Sequence, residues 1–435
     1  MVSRRRILSL PLVAMPASGA GQPPPNVVLV ISDDHGWPDY GFQGHPRVRT
    51  PNLDKLAAES LVFTRGYVTA SLCRPSLASM MTGLYPHQHR ITGNDPPGNP
   101  RDAAGRARMV EVYQRSRTVA ARLAAEGYLS HQSGKWWEGD CRCCGFTECM
   151  SHGDVSRGGR HGDEGLRIGR ETMQPVFDFI DRAARLPFFL WYAPFLPHTP
   201  HDPPDRLLSY YRALDLPPSL ARYFAMIEWL DETVGQLTGF LEKRDLARNT
   251  LVLYLADNGW IQLEGNRPLH ETRAKLSPYD AGVRTPIMVR WPGRVKPRRD
   301  ERTLVSSVDL APTILRACGL APEPAMPGLN LPDASPLARR KAIFGSIFVH
   351  TSIDIEKPSA NLKYRWIVRG RWKLIEPYAP NASLPLWEGQ AFTGWSQNAE
   401  LYDVLADPAE KNNLAAGSPD LVRSLRRDLD AWWRP

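Results

Sequence analysis

Residues 26–34 read NVVLVISDD, and residues 250–259 read TLVLYLADNG. Each is a seven-residue, mainly apolar run that stops abruptly at acid and amide side chains. A continuous apolar run of that length suits a parallel strand buried on both faces. Residues 187–193 (PFFLWYA) repeat the pattern, and 285–290 (TPIMVR) is a fourth candidate strand. Between them the apolar spacing changes to threes and fours. Leu53, Leu56, Ala57, Leu61 and Val62 predict a helix over 53–63. Phe224, Ile227, Leu230, Val234, Leu237 and Phe240 predict another over 224–241. Strands alternating with helices specify an α/β fold, a central and mostly parallel sheet flanked by helices.

Outward from that core, 321–336 is proline-rich and reads as a linker. Beyond it, 342–349 and 365–375 read as strands and 418–433 as a closing helix. The expected organisation is a catalytic α/β domain over 25–335 and a smaller C-terminal α+β subdomain over 340–435. At the other end, Arg4-Arg5-Arg6 precedes a short apolar run over 7–15 and the small residues Ala17, Ser18, Gly19 and Ala20. That order predicts a signal peptide over 1–20 and an exported protein, periplasmic or secreted. Ser3-Arg4-Arg5 with Ile7-Leu8 also resembles a twin-arginine signal.

The 435 residues suffice to bury a sizeable core, and their 42% hydrophobic share excludes a wholly disordered chain. No run of 18 apolar residues exists, so no membrane span is expected. The net charge of +8 suits an anionic substrate as well as an ordinary solvated surface. Lys and Arg are scattered and no nucleic-acid-binding signature accompanies them, so no nucleic-acid partner is expected.

Ligands of open parallel sheets bind beyond the carboxyl ends of the strands. Asp33-Asp34 and Asp257-Asn258 stand at two such ends. Acidic residues often end strands as turn formers. Together, however, three carboxylates and an amide make a hard-oxygen set suited to Ca²⁺ or Mg²⁺. Between them lies Ser71-Leu72-Cys73-Arg74-Pro75-Ser76, which continues to Gly83. Pro75 places Cys73 at the start of a helix that Gly83 stops. Such a position favours a thiolate and an anion.

The sequence resembles the sulfatase family, formylglycine-dependent members of the alkaline-phosphatase-like superfamily. The match runs through Asp33-Asp34, Cys73-Arg74-Pro75-Ser76, Thr82-Gly83, Gly134-Lys135-Trp136 and Pro197-His198. It continues through Asp257-Asn258-Gly259, Lys275, Arg284-Thr285-Pro286 and, near the end, Leu401-Tyr402-Asp403. The resemblance implies a divalent cation, usually Ca²⁺, on Asp33, Asp34, Asp257 and Asn258, with the modified Cys73 as a further ligand. It implies that Cys73 is oxidised to formylglycine by a formylglycine-generating enzyme, and that the hydrate attacks sulfur. Lys135 and Lys275 would bind the sulfate oxygens, and His198 would assist the departing alkoxide. The implied substrate is a sulfated small molecule or glycan, with a carbohydrate or aryl sulfate expected first. A phosphonate or phosphodiester hydrolase is the enzymatic alternative, and a degenerate sulfatase that only binds sulfated glycans is the other.

Two positions depart from the pattern. Leu77 replaces the arginine that closes the family signature, and Trp137 replaces a histidine after Gly-Lys-Trp. Arg74 supplies a charge nearby but from another part of the helix. His35, His87 and His89 are the histidines that could stand in. Four cysteines follow, Cys141, Cys143, Cys144 and Cys149. Disulfides are the default for an exported chain, with zinc, aided by His152 or His161, the alternative. The Gly-, Arg- and His-rich stretch 151–164 reads as a substrate-binding loop or a plain surface loop.

Overall fold

A computed structural model describes residues 23–153, 163–183, 185–386 and 396–435. The export segment read over 1–20, and residues 154–162 of the Gly-, Arg- and His-rich loop with its His161, lie outside these. The main sheet contains β1 (Asn26–Ser32), β2 (Leu61–Tyr67), β3 (Leu129–Gly134), β4 (Glu148–Cys149) and β5 (Phe188–Ala193). It is completed by β6 (Thr250–Ala256), β7 (Arg284–Arg290), β8 (Arg298–Asp300) and β9 (Val305–Ser306). Their order is β4-β3-β5-β1-β6-β7-β2-β8, with β9 on β2. The sheet is mostly parallel, as expected; β7 runs antiparallel to both β6 and β2.

β1 lies at the centre, with Val27 level with Phe189 of β5 and Leu251 of β6. Its side chains alternate between the two faces. Val27, Leu29 and Ile31 enter one core, while Val28 and Val30 enter the other. Burial on both faces is why the strand reads as an unbroken apolar run. The Pro218–Lys243 helix covers the second face with Met226, Leu230, Val234 and Leu237.

The helix expected over 53–63 ends earlier. Pro51–Ala58 is helical, and Leu61–Tyr67 is β2. Leu61 and Val62 satisfy a helical spacing, yet they open a stretch rich in β-branched and aromatic residues that pairs with β7. The C-terminal part forms a four-stranded antiparallel sheet, β10 (Ala342–Phe348), β11 (Leu362–Arg369), β12 (Trp372–Pro377) and β13 (Glu400–Asp403). The single strand expected over 365–375 is thus a hairpin, turned at Gly370, whose φ of 60° suits glycine. The Pro419–Trp432 helix covers one face of this sheet through Val422, Leu425 and Leu429. Ile343, Trp366 and Tyr402 join the main core on the other. The proline-rich stretch is strapped to the main core, where Leu331 is fully buried and donates its N–H to Thr313 Oγ1 at 2.9 Å. No helix among the described residues is long and apolar enough to cross a membrane.

Candidate active site

The carboxyl ends of β1 and β6 lie side by side, which sets Asp33 and Asp34 against Asp257 and Asn258. Asp34 N–H donates to Asp257 Oδ1 at 3.1 Å, and Asn258 Nδ2 donates to Asp34 Oδ1 at 2.7 Å. Asp34 takes a left-handed backbone, φ 58°, a conformation that costs energy and recurs where a site demands it. The Cys73–Thr82 helix starts at the cysteine and stops at Gly83, φ 67°, as the sequence predicts. Its Cys73 thiol donates to Asn258 Oδ1 at 3.5 Å. Leu276 N–H donates to Ser71 O at 2.9 Å and so docks the Lys275 loop beside the cysteine.

Two ammonium groups enter this acidic cluster. Lys135 Nζ, just beyond β3, lies 2.6 Å from Asp33 Oδ1 and 3.8 Å from Asp257 Oδ2. Lys275 Nζ lies 2.7 Å from Asp34. Aromatic rings flank both: Trp137 and Phe195 stand 5.1 and 5.4 Å from Lys135 Nζ, and Trp260 stands 5.9 Å from Lys275 Nζ. Trp137, where the family pattern has histidine, thus seats Lys135. His198 Nδ1 donates to Thr199 O at 2.6 Å, which turns Nε2 toward Asp34 Oδ2, 3.4 Å away. All the candidate residues, Asp33, Asp34, Cys73, Lys135, His198, Asp257, Asn258 and Lys275, therefore meet at one end of the sheet.

Burial dominates the electrostatics. It pushes Asp33 well above the usual carboxylate range, reinforced by Asp257 and Asp34 against the pull of Lys135. Asp257 is raised for the same first reason. Burial also acts on Asp34, but Lys275, His198 and Lys135 outweigh it and hold that carboxyl low. Burial lowers His198 well below its ordinary value and keeps the ring neutral. The Cys73 thiol is pushed up to about 12, by burial first, against the pull of Lys135 and Lys275. This corrects the expected thiolate, because desolvation outweighs whatever the helix start contributes.

Crowded buried carboxylates fit a cation. Asp33 Oδ2 and Asp257 Oδ2 are buried without a hydrogen-bond partner, which is costly for a carboxylate oxygen unless positive charge answers it. Ligand atoms of Asp33, Asp34, Cys73 and His198 lie within 4.8 Å of one another. These four groups form a candidate metal site, in which the two carboxylates are the hard oxygen donors.

The remaining histidines and cysteines have other tasks. His35 Nε2 lies 3.0 Å from Asp39 O, His89 Nε2 lies 3.1 Å from Ser79 Oγ, and His87 stacks on Trp433 at 4.6 Å. Cys141 and Cys149 form a disulfide, while Cys143 and Cys144 are free, so the cluster is half disulfide and not a four-thiol zinc site. The pattern did not disclose the partner of Arg74. Its guanidinium meets Glu138, Nε to Oε1 at 2.8 Å and Nη2 to Oε2 at 2.6 Å, both side chains buried.

Residues 25–320 match the family model described as Sulfatase, and 270–432 match N-sulphoglucosamine sulphohydrolase, C-terminal. The chain belongs to the sulfatase family of sulfuric ester hydrolases. It is 25% identical to the N-acetylgalactosamine-6-O-sulfatase of Bacteroides thetaiotaomicron, over 95% of this chain and 94% of that one. It is 30% identical to arylsulfatase A of Bos taurus, over 96% of this chain and 84% of the relative. The solved structure of Ps i-CgsB in complex with k-i-k-neocarrahexaose shares the fold. Its TM-score is 0.75 at 23% identity, covering 94% of this chain and 93% of that chain.

Proposed function

We propose that this chain is an exported enzyme that hydrolyses a sulfate ester of a carbohydrate, with Cys73 oxidised to formylglycine and a calcium ion held by Asp33, Asp34, Asp257 and Asn258. The catalytic unit is 25–335, and 340–435 packs on it as a C-terminal subdomain. When bound and formed, the cation and the hydrated formylglycine supply, respectively, positive charge for the sulfate and the nucleophile at position 73.

The side chains divide the remaining work. Lys135 and Lys275 bind the sulfate oxygens and stabilise the charge that develops as the S–O bond breaks. Asn258 accepts a hydrogen bond from the group at position 73 and holds it in place. His198, fixed by Thr199, presents Nε2 to the ester oxygen. An arriving sulfate adds negative charge beside that nitrogen, which favours its protonated form. The ring then delivers the proton to the departing alkoxide.

The observation that carries this reading is the meeting of Cys73, two lysines and His198 over a buried acid cluster in which two carboxylate oxygens lack a hydrogen-bond partner. The relatives named as N-acetylgalactosamine sulfatases and the net charge of +8 support a sulfated sugar. The test is co-expression with a formylglycine-generating enzyme, mass spectrometry of the Cys73 peptide, and comparison of nitrophenyl sulfate with a nitrophenyl phosphonate ester. An aldehyde at position 73 with sulfate release faster than phosphonate release is expected. Faster phosphonate cleavage makes the chain a phosphonate hydrolase. Glycan binding without sulfate release from fully converted protein makes it a binding protein.

A further inference from the structure

The charge that the signature position lacks at Leu77 is found one helical turn earlier, and it is not idle. Arg74 follows the nucleophile position directly, and Glu138 lies three residues beyond Lys135. Their side chains are 1% and 5% exposed and meet two-on-two. A planar guanidinium against a carboxylate fixes both distance and orientation, which a lysine could not. Arg74 also engages a third segment: its N–H donates to Asn94 Oδ1 at 3.0 Å, and Nη1 donates to Asn94 O at 3.4 Å. The surroundings are closed. Leu77, Tyr113, Trp136 and Trp137 share with the pair a cavity of only about 10 Å³, room for one water at most.

We propose that the Arg74–Glu138 ion pair is a positioning device. It locks the first turn of the Cys73–Thr82 helix to the segment bearing Lys135, and thereby sets the nucleophile at position 73 against the sulfate held by the lysines. The inference rests on the sulfate-ester reading above. Neither residue reaches the reacting atoms; both act through Cys73 and Lys135. Such a role is sharp in rate because misplacement by about 1 Å costs roughly 100-fold in turnover.

The test uses the full chain, co-expressed with the maturation enzyme, and nitrophenyl sulfate as probe. Removing one partner strands a buried charge and endangers folding, whereas replacing both with apolar side chains of similar volume is often neutral. The decisive variant is therefore the double Arg74→Met, Glu138→Leu, with Arg74→Lys beside it. The double variant is expected to melt near the wild type and to carry the aldehyde at equal occupancy. Its kcat should fall about 10- to 100-fold with KM little changed, and Arg74→Lys should lie between. A merely structural pair would leave kcat intact, so a folded, converted double variant with wild-type kcat overturns the proposal.

Alkylation of Cys73 by iodoacetamide in unconverted protein, read on its own peptide, gives a second readout that needs no turnover. Loss of the lock should speed it about tenfold. If the wild type releases no sulfate but the double variant alkylates faster, the sulfate-ester reading falls and the positioning role stands. If the wild type releases no sulfate and the double variant alkylates no faster, both fall.

Discussion

Lys275 binds Asp34 at 2.7 Å, in a place where burial would otherwise leave a carboxylate crowded by two others. In the proposed function the same ammonium binds the sulfate, so that one residue would serve the resting site and the substrate in turn. Lys275→Ala is expected to slow sulfate-ester hydrolysis by about 100- to 1,000-fold, the scale of losing one preorganised donor. Conversion of Cys73 should be unchanged, and a rate within about threefold of wild type would remove Lys275 from the machinery. At this scale the sequence discloses residues that follow a strand or a short motif, such as Asp33, Asp257 and Cys73. It cannot disclose Arg74 with Glu138, because the partners are 64 residues apart and only the fold brings them together. The thiolate expectation failed for a related reason. Helix starts are local and visible in sequence, whereas the burial that raises the Cys73 thiol is not.

Among the elements, β3 shows how a strand can escape its own pattern. Its sequence LSHQSG is polar, yet from Ser130 onward every residue is buried. Two of the polar side chains are answered from neighbours: Ser133 Oγ donates to Trp191 O at 2.9 Å, and Gln132 Nε2 donates to Ser151 Oγ at 3.3 Å. Such pairing across the sheet overrides hydropathy, and no alternation of apolar residues announces it. β1 and β6, by contrast, face two apolar cores and could be read directly. The last residue of β3 launches Lys135 under tight constraint. Gly134 has φ 84°, and a Cβ there would fall 1.8 Å from the Ala193 carbonyl oxygen. Gly134→Ala should therefore cost about 3 kcal/mol of stability and displace Lys135. Denaturant unfolding checks this, and a midpoint equal to wild type would show that the backbone yields there.

At the scale of the molecule, a buried charge cluster pins the small sheet to the large one. Lys373 of β12 lies 2.8 Å from Asp280 and 3.0 Å from Glu410, and Asp280 N–H donates to Glu410 Oε2 at 2.5 Å. Tyr67 of β2 donates to the same Asp280 at 3.0 Å. Lys373→Met strands two carboxylates and should destabilise by about 3–5 kcal/mol. Calorimetric melting that stays within about 1 kcal/mol of wild type would count against that cluster as the pin. Burial, opposed by Lys373, pushes the Glu410 carboxyl up to about 7 from its ordinary 4.5. A folded value above the unfolded one means that the folded chain holds the proton more tightly. That contribution is complete below about pH 4.5 and is lost as pH rises through about 7. Melting temperature should therefore fall between pH 5 and pH 8, and Glu410→Gln should flatten the fall. None of this cluster is legible from local pattern, since Asp280, Lys373 and Glu410 lie in three distant stretches of chain.

The thiol of Cys73 is 1% exposed, and the amide that caps it, Asn258, comes 185 residues later in the chain. Before Asn258 and the strand ahead of it are made, the sulfur lacks this cover and is open to an enzyme that alters it. At synthesis rates of about 5–20 residues per second, that interval lasts about 10–40 s on the ribosome. On the proposed conversion of Cys73, maturation and folding run as a race with a head start of that length, and slower translation beyond residue 73 is expected to raise the aldehyde occupancy.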